Sequence, residues 1–284
     1  MKLIIIPNKV SDISKYDNDT FIIGLENFSI NYPICSLQEI KELSKKYNLF
    51  IAINKNLFNN ELEDIKNILI ELSKINILGV MYYDIGLLNI VMENNINIDL
   101  VWHQTHMVTN YNTCNYYNSK GVKYAYLANE ITLDEILEIK EKTNMQLLVE
   151  VFGYPIMSHS RRSLLSNYLK TNNIEKENRI YHLSDKENNY LLKETNNGTS
   201  ILYGKLINGT KPLFEMINNI DYFTLDMQEV DEKISREVFN TYKYIINNYE
   251  NISLEEKNNI INKMNNLIGD STNFFYKKTI YKVK

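Results

Sequence analysis

Residues 147–168 read Leu-Leu-Val-Glu-Val-Phe-Gly-Tyr-Pro-Ile-Met-Ser-His-Ser-Arg-Arg-Ser-Leu-Leu-Ser-Asn-Tyr. Leu147 to Phe152 is an apolar run of strand type with a single carboxylate, Glu150, in its middle. It stops at Gly153, Tyr154 and Pro155, residue types that punctuate a strand end. Ser158, His159, Ser160, Arg161, Arg162 and Ser163 follow, a concentration of hydrogen-bonding groups beside a buried strand. A substrate pocket accounts for such spending. A solvated loop, with one arginine paired to a buried Glu150, accounts for it too.

Outward from this stretch the chain alternates. Short apolar, β-rich runs are expected as strands at 3–6, 21–25, 49–53, 77–82, 98–102, 122–127 and 222–225. Between them, apolar spacing of three and four predicts helices over 37–46, 60–72, 87–92, 110–119 and 133–142. Ser36 with Glu39, and Thr132 with Glu135, have the spacing of a capping box. Strands recurring about every 25 residues, each followed by a helix, describe a parallel sheet covered on both faces. The chain has no G-x-G-x-x-G turn and no P-loop, which counts against the common nucleotide folds. The expected fold is therefore an α/β, TIM-like (β/α) barrel, a size that 284 residues fit.

After Tyr168 the repeat is interrupted. Three short β-type pieces, 179–183, 190–193 and 200–203, surround the hairpin signal Asn196-Asn197-Gly198. They predict a small β insertion over 169–205, near the barrel mouth. The barrel is expected over 1–234. Residues 235–284 form an extension with helices at 235–246 and 254–268 and a lysine-guarded edge strand at the end.

Polar residues gather where strands end: Glu26, Asn27, Asn54, Lys55, Asp84, His103, Gln104, Thr105, Glu130, Asp226 and the 158–163 group. In barrels that face builds the site. The candidate site is Glu150 as the acid–base group, with Arg161, Arg162, Ser160, Glu26, Asn54, Asp84, Thr105, His106, Glu130 and Asp226 binding the ligand. Arginine forks suit a carboxylate or phosphate, so the ligand is expected to be anionic. His103, His106 and Glu130 have a spacing that can hold a metal. The expected arrangement is instead one histidine packed beside Trp102 and the other solvated.

Composition narrows the classes. The chain is 44% hydrophobic with a net charge of −4, which allows a large core and shows no broad positive field for nucleic acid. Its two cysteines, Cys35 and Cys114, stand far apart and cannot alone make a four-ligand zinc or iron–sulfur site. Nor do they suggest a disulfide framework, so a reducing cytoplasm is the expected setting. No apolar segment approaches the length of a membrane span.

The 150–168 block resembles the collagenase-like peptidase family, the thirty-second family of peptidases of unknown mechanism. The likeness rests on Glu150-Val151-Phe152-Gly153-Tyr154, Ser160-Arg161-Arg162 and Leu164-Leu165-Ser166-Asn167-Tyr168. Weaker supports are Thr105-His106-Met107-Val108-Thr109-Asn110, Leu127-Ala128-Asn129-Glu130, Gly198-Thr199-Ser200-Ile201-Leu202 and the ending 275–282. The resemblance implies an irregular barrel and one of several activities: peptide hydrolysis, or hydroxylation of RNA bases or the ubiquinone ring with an iron–sulfur cluster on four cysteines. In cluster-bearing members cysteines sit within and just after this block, where this chain carries serines such as Ser158 and Ser163. No cofactor is expected, since ordinary clusters require thiolates. H-E-x-x-H and G-x-S-x-G motifs are also absent from the sequence. Two functions follow: a peptidase-family enzyme with a barrel-mouth pocket, or a non-catalytic partner of a cluster-bearing paralogue, a peptide or RNA, accessory to RNA-base hydroxylation.

Overall fold

A computed structural model describes residues 2–177, 180–184 and 189–277. In chain order the strands are β1 (Lys2–Ile6), β2 (Thr20–Leu25), β3 (Ile34–Cys35), β4 (Asn48–Ile53), β5 (Gly79–Tyr82), β6 (Leu100–Trp102) and β7 (Tyr124–Tyr126). They continue as β8 (Gln146–Gly153), β9 (Ile156–Ser160), β10 (Tyr181–Ser184), β11 (Asn189–Thr195), β12 (Gly198–Tyr203), β13 (Ile207–Asn208) and β14 (Tyr222–Asp226). The helices are α1 (Leu37–Leu43), α2 (Leu62–Leu72), α3 (Ile85–Glu93), α4 (Tyr111–Ser119), α5 (Leu133–Lys142), α6 (Leu164–Thr171), α7 (Thr210–Met216), α8 (Glu232–Asn248) and α9 (Leu254–Ile268).

Parallel pairing runs β1-β14-β8-β7-β6-β5-β4-β2 and closes where Ile5 of β1 meets Phe21 of β2. The result is a closed eight-stranded barrel ringed by helices, the TIM-like fold. Because strand side chains alternate between faces, Ile4, Ile22, Phe50, Met81, Val101, Tyr124, Leu148 and Tyr222 fill the interior. Their neighbours Ile5, Phe21, Ile51, Val80, Trp102, Ala125, Val149 and Phe223 turn outward, into the core shared with the helices. Phe50, Tyr124 and Tyr222 meet edge to face, with ring centres 5.2 to 6.1 Å apart, and plug the amino-terminal end. Both predicted capping boxes are formed, at Ser36–Glu39 and Thr132–Glu135.

The insertion is a second sheet, antiparallel in the order β10-β11-β12-β9. Its hairpin turns between Thr195 and Gly198, as the Asn-Asn-Gly signal predicts. Among the described elements, β3, β9, β13, α6 and α7 escape the apolar spacing. The segment after Pro155 is strand β9 rather than a loop, and α6 begins at once after it. The terminal edge strand is corrected where it can be seen: residues 273–276 form a turn that covers the barrel mouth. The rest of that predicted strand, 278–284, lies outside the described residues. No described helix is long and apolar enough to cross a membrane.

Candidate active site in the barrel mouth

The parity that fills the barrel also aims Glu150. It lies two residues after Leu148 on β8, level with Thr224 of β14, so its carboxyl enters the interior from the carboxyl-terminal side. Asp226, two residues beyond Thr224, does the same at the end of β14 and faces Ile6 of β1. Tyr126 ends β7 and His103 follows β6. Together these groups form the floor of a cavity of about 570 Å³.

Glu150 Oε2 accepts hydrogen bonds from Asn129 Nδ2 at 2.9 Å and from the Tyr126 hydroxyl at 3.3 Å. Burial pushes the Glu150 carboxyl up to about 8, the neighbouring Asp226 adds to the rise, and the two hydrogen bonds oppose it. Asp226 is pushed up to about 7, again by burial, against hydrogen bonds from Gln228. Asp226 Oδ1 accepts from the Gln228 backbone N–H at 2.9 Å. Gly153 makes room for the pair: a Cβ there would lie 2.7 Å from Asp226 Cβ and 2.9 Å from Glu150 Oε1. The same burial lowers His103 to about 4, leaving a neutral ring 4.6 Å from that of Tyr126 and 6.4 Å from that of Tyr32. Its Nδ1 is buried without a hydrogen-bond partner.

The walls come from distant parts of the chain. Tyr32 is contributed by the turn after β2, Tyr154 and Met157 by the β8–β9 corner, Tyr190 and Tyr203 by the insertion, and residues 270–274 with Lys277 by the tail. Asn273 Nδ2 donates to the Asn129 carbonyl at 2.7 Å, tying the tail to the residue that holds Glu150. Thr105, a β-branched residue, sits on the rim with a φ of 36°, a left-handed conformation that such residues rarely adopt.

The structure brings six of the sequence candidates to this cavity: Glu150, Asn54, Thr105, His106, Glu130 and Asp226. Five lie elsewhere. Glu26 is exposed. Asp84 caps α3 at the Gly86 N–H and accepts from the Leu57 N–H, both at 2.8 Å. Ser160 ends β9 and Arg161 and Arg162 follow it; the strand turns back at Pro155 and carries them along the insertion sheet away from the cavity. Both arginines are exposed, and Arg161 stacks 3.6 Å above the Phe58 ring. The anion cup of guanidinium groups over Glu150 is therefore corrected: the cavity floor is acidic. His103 packs against tyrosines rather than beside Trp102, and His106 pairs with Glu130 at 3.2 Å on the rim. Among the described residues no three histidine, cysteine or acidic side chains converge as metal ligands.

Cys35 on β3 and Cys114 on α4 are buried, and burial pushes both thiols up to about 12. Two protonated thiols on separate elements do not fit a four-thiolate iron–sulfur cluster. The cavity's tyrosines and the tail contacts were not legible as site residues, because nothing in their local pattern distinguishes them from core or surface aromatics.

Comparison with known proteins places this geometry in a family. A family model described as Peptidase family U32 matches residues 7–282. The chain is 27% identical over 246 residues to tRNA hydroxylation protein P2 of Bacillus subtilis (strain 168), spanning 79% of each. It is 24% identical over 161 residues to tRNA hydroxylation protein P1 of the same organism, covering 54% of this chain and 38% of that one. A solved structure described as a U32 peptidase superposes with a TM-score of 0.50 at 12% identity, over 80% of this chain and 92% of the other, a likeness of fold. By the extent of the family match, this chain belongs to peptidase family U32.

Proposed function

We propose that this chain takes part in hydroxylating a tRNA base, in the cytoplasm, with Glu150 as the acid–base group of its cavity. The observation that carries the reading is Glu150 itself. Its carboxyl faces a ligand-sized space, is oriented by Asn129 and Tyr126, and is poised at about 8. A general acid or base works best with a pKa near the operating pH. The names of the relatives favour RNA hydroxylation over peptide hydrolysis. No cysteine lines the cavity, and the rim histidine is engaged by Glu130 rather than by a nucleophile.

The test is nucleoside mass spectrometry of tRNA from a strain lacking the gene, complemented with the wild-type chain or with Glu150→Gln. Loss of a hydroxylated nucleoside on deletion, restored by the wild type and not by the variant, is the expected result. Full restoration by Glu150→Gln removes the acid–base role. Cleavage of peptides by the purified chain alone would return the function to hydrolysis.

A second reading is a partner role beside a paralogue that carries the missing thiolates. It is favoured by the pair of similarly named relatives in one Bacillus and by the two-cysteine count of this chain. Co-purification of a cysteine-bearing paralogue with a tagged chain supports it. Hydroxylation restored in a strain lacking every paralogue excludes it.

A further inference from the structure

The charge balance of the cavity floor bears on what enters it. Glu150 and Asp226 stand on adjacent strands and are brought together over Gly153. The elements around them supply few compensating charges. β7 and the residues after it offer Tyr126 and Asn129 to Glu150. The turn after β14 offers Gln228 to Asp226, and also carries Glu229. The turn after β2 brings Tyr32, whose hydroxyl is raised by both carboxylates after its own burial. His103 is neutral. Lys193 on β11 acts on Asp226 only through space and is ion-paired with Glu229 at 2.7 Å. Lys205 and Lys277 line the cavity wall without an ion pair to either carboxyl. Among the described residues, no lysine, arginine or histidine is ion-paired with Glu150 or Asp226.

Buried carboxyls are costly unless a positive partner is present. Here the partner is missing while an open cavity leads to the pair. The space beside them is walled by Tyr32, Tyr126, Tyr154, Tyr190 and Tyr203, whose ring faces attract cations. The unpartnered His103 Nδ1 adds, in the tautomer protonated at Nε2, an acceptor that a donor-rich ligand would satisfy. We propose that the floor of this cavity receives an organic monocation, a protonated amine, amidine or guanidine. Its N–H groups donate to Glu150 and Asp226, and its body lies against the tyrosines. This rests on the cavity being the functional site, not on tRNA being the substrate.

Proton balance follows. With both carboxyls pushed up by burial, the free pair holds protons near neutral pH. A cation that ion-pairs with the carboxylate form displaces one, so the cation binds and a proton leaves to the buffer.

The experiment is calorimetric titration of the full chain at pH 7 with benzylamine, benzamidine and benzylguanidine, against benzyl alcohol and benzoate as neutral and anionic counterparts. At least one cation is expected to bind at least 10-fold tighter than benzyl alcohol. It should release close to one proton, read from the dependence of heat on buffer ionisation enthalpy. Asp226→Asn and Glu150→Gln should each weaken it at least 10-fold, and Arg161→Ala, outside the cavity, should leave it unchanged. Preference for benzoate or benzyl alcohol, or cation binding without proton release, overturns the proposal. Proton release is read on the wild type, so the test survives a variant that does not fold. The tRNA analysis is a separate readout, so either conclusion can fail alone.

Discussion

Gly153→Ala tests whether the two carboxyls are held together by a missing side chain. The backbone at Gly153 has a φ of 144°, a region almost closed to residues with a Cβ, at a cost of about 1–3 kcal/mol. The new methyl would also stand 2.7 Å from Asp226 Cβ, 3.3 Å from the Asp226 carbonyl oxygen and 2.9 Å from Glu150 Oε1. Two of these neighbours belong to strand β14, whose backbone is fixed in the barrel, so overpacking adds about 1–3 kcal/mol. At roughly 2–4 °C per kcal/mol for a chain of this size, the combined cost of about 2–6 kcal/mol should lower the melting temperature by roughly 4–24 °C. Gly121→Ala is the internal control. Its φ is 85° with nothing within 4 Å of the added Cβ, so it carries backbone strain alone, about 1–2 kcal/mol. Thermal unfolding followed by circular dichroism measures both. Equal losses at the two glycines would refute the claim that Gly153 is reserved for the carboxyl pair.

Glu150→Gln should change how stability depends on pH. The folded pKa is raised above 4.5, to about 8, so the folded state keeps a proton that the unfolded chain has released, and wild-type stability falls as pH rises from about 4.5 to about 8. Glutamine removes that slope. Relative to wild type the variant gains on the order of 3 kcal/mol between pH 5 and 9, read from denaturation midpoints across the range. Glu194 has the opposite sign. Its carboxylate accepts from the first N–H groups of α6, from Thr199 and from Lys176, which hold it at about 2 against the cost of burial. The stabilisation it supplies is present above pH 4.5 and is lost as pH falls to about 2, so amides of α6 and β12 should lose hydrogen-exchange protection in that window before the barrel does. Thr132→Ala removes an N-cap whose hydroxyl accepts from Glu135 N–H at 3.3 Å and should cost about 1 kcal/mol in thermal unfolding.

The barrel was legible because period and length are local properties: each β-rich run and the amphipathic helix after it can be read without knowing their neighbours. Glu150 was legible for a related reason, since a carboxylate inside Leu147–Phe152 contradicts its own surroundings. The arginines misled because Pro155 marks a break without giving the direction of the next segment. Polar Ser158, His159 and Ser160 pair with β12 through their backbones, an interaction that side-chain pattern does not encode. Tyr190 and Tyr203 reach the cavity only because the insertion folds over the mouth, and no window of sequence contains both that sheet and the strands beneath it.

Asn129 is held from two directions, giving its amide to Glu150 and its carbonyl to Asn273. Leu133 N–H, four residues on, reaches the Phe275 carbonyl. A substitution near residue 273 thus lies one side chain from the Glu150 carboxyl despite 123 positions of separation along the chain. Sequence drift in the tail is therefore a means of retuning the acidity of Glu150 while every residue of β8 stays unaltered.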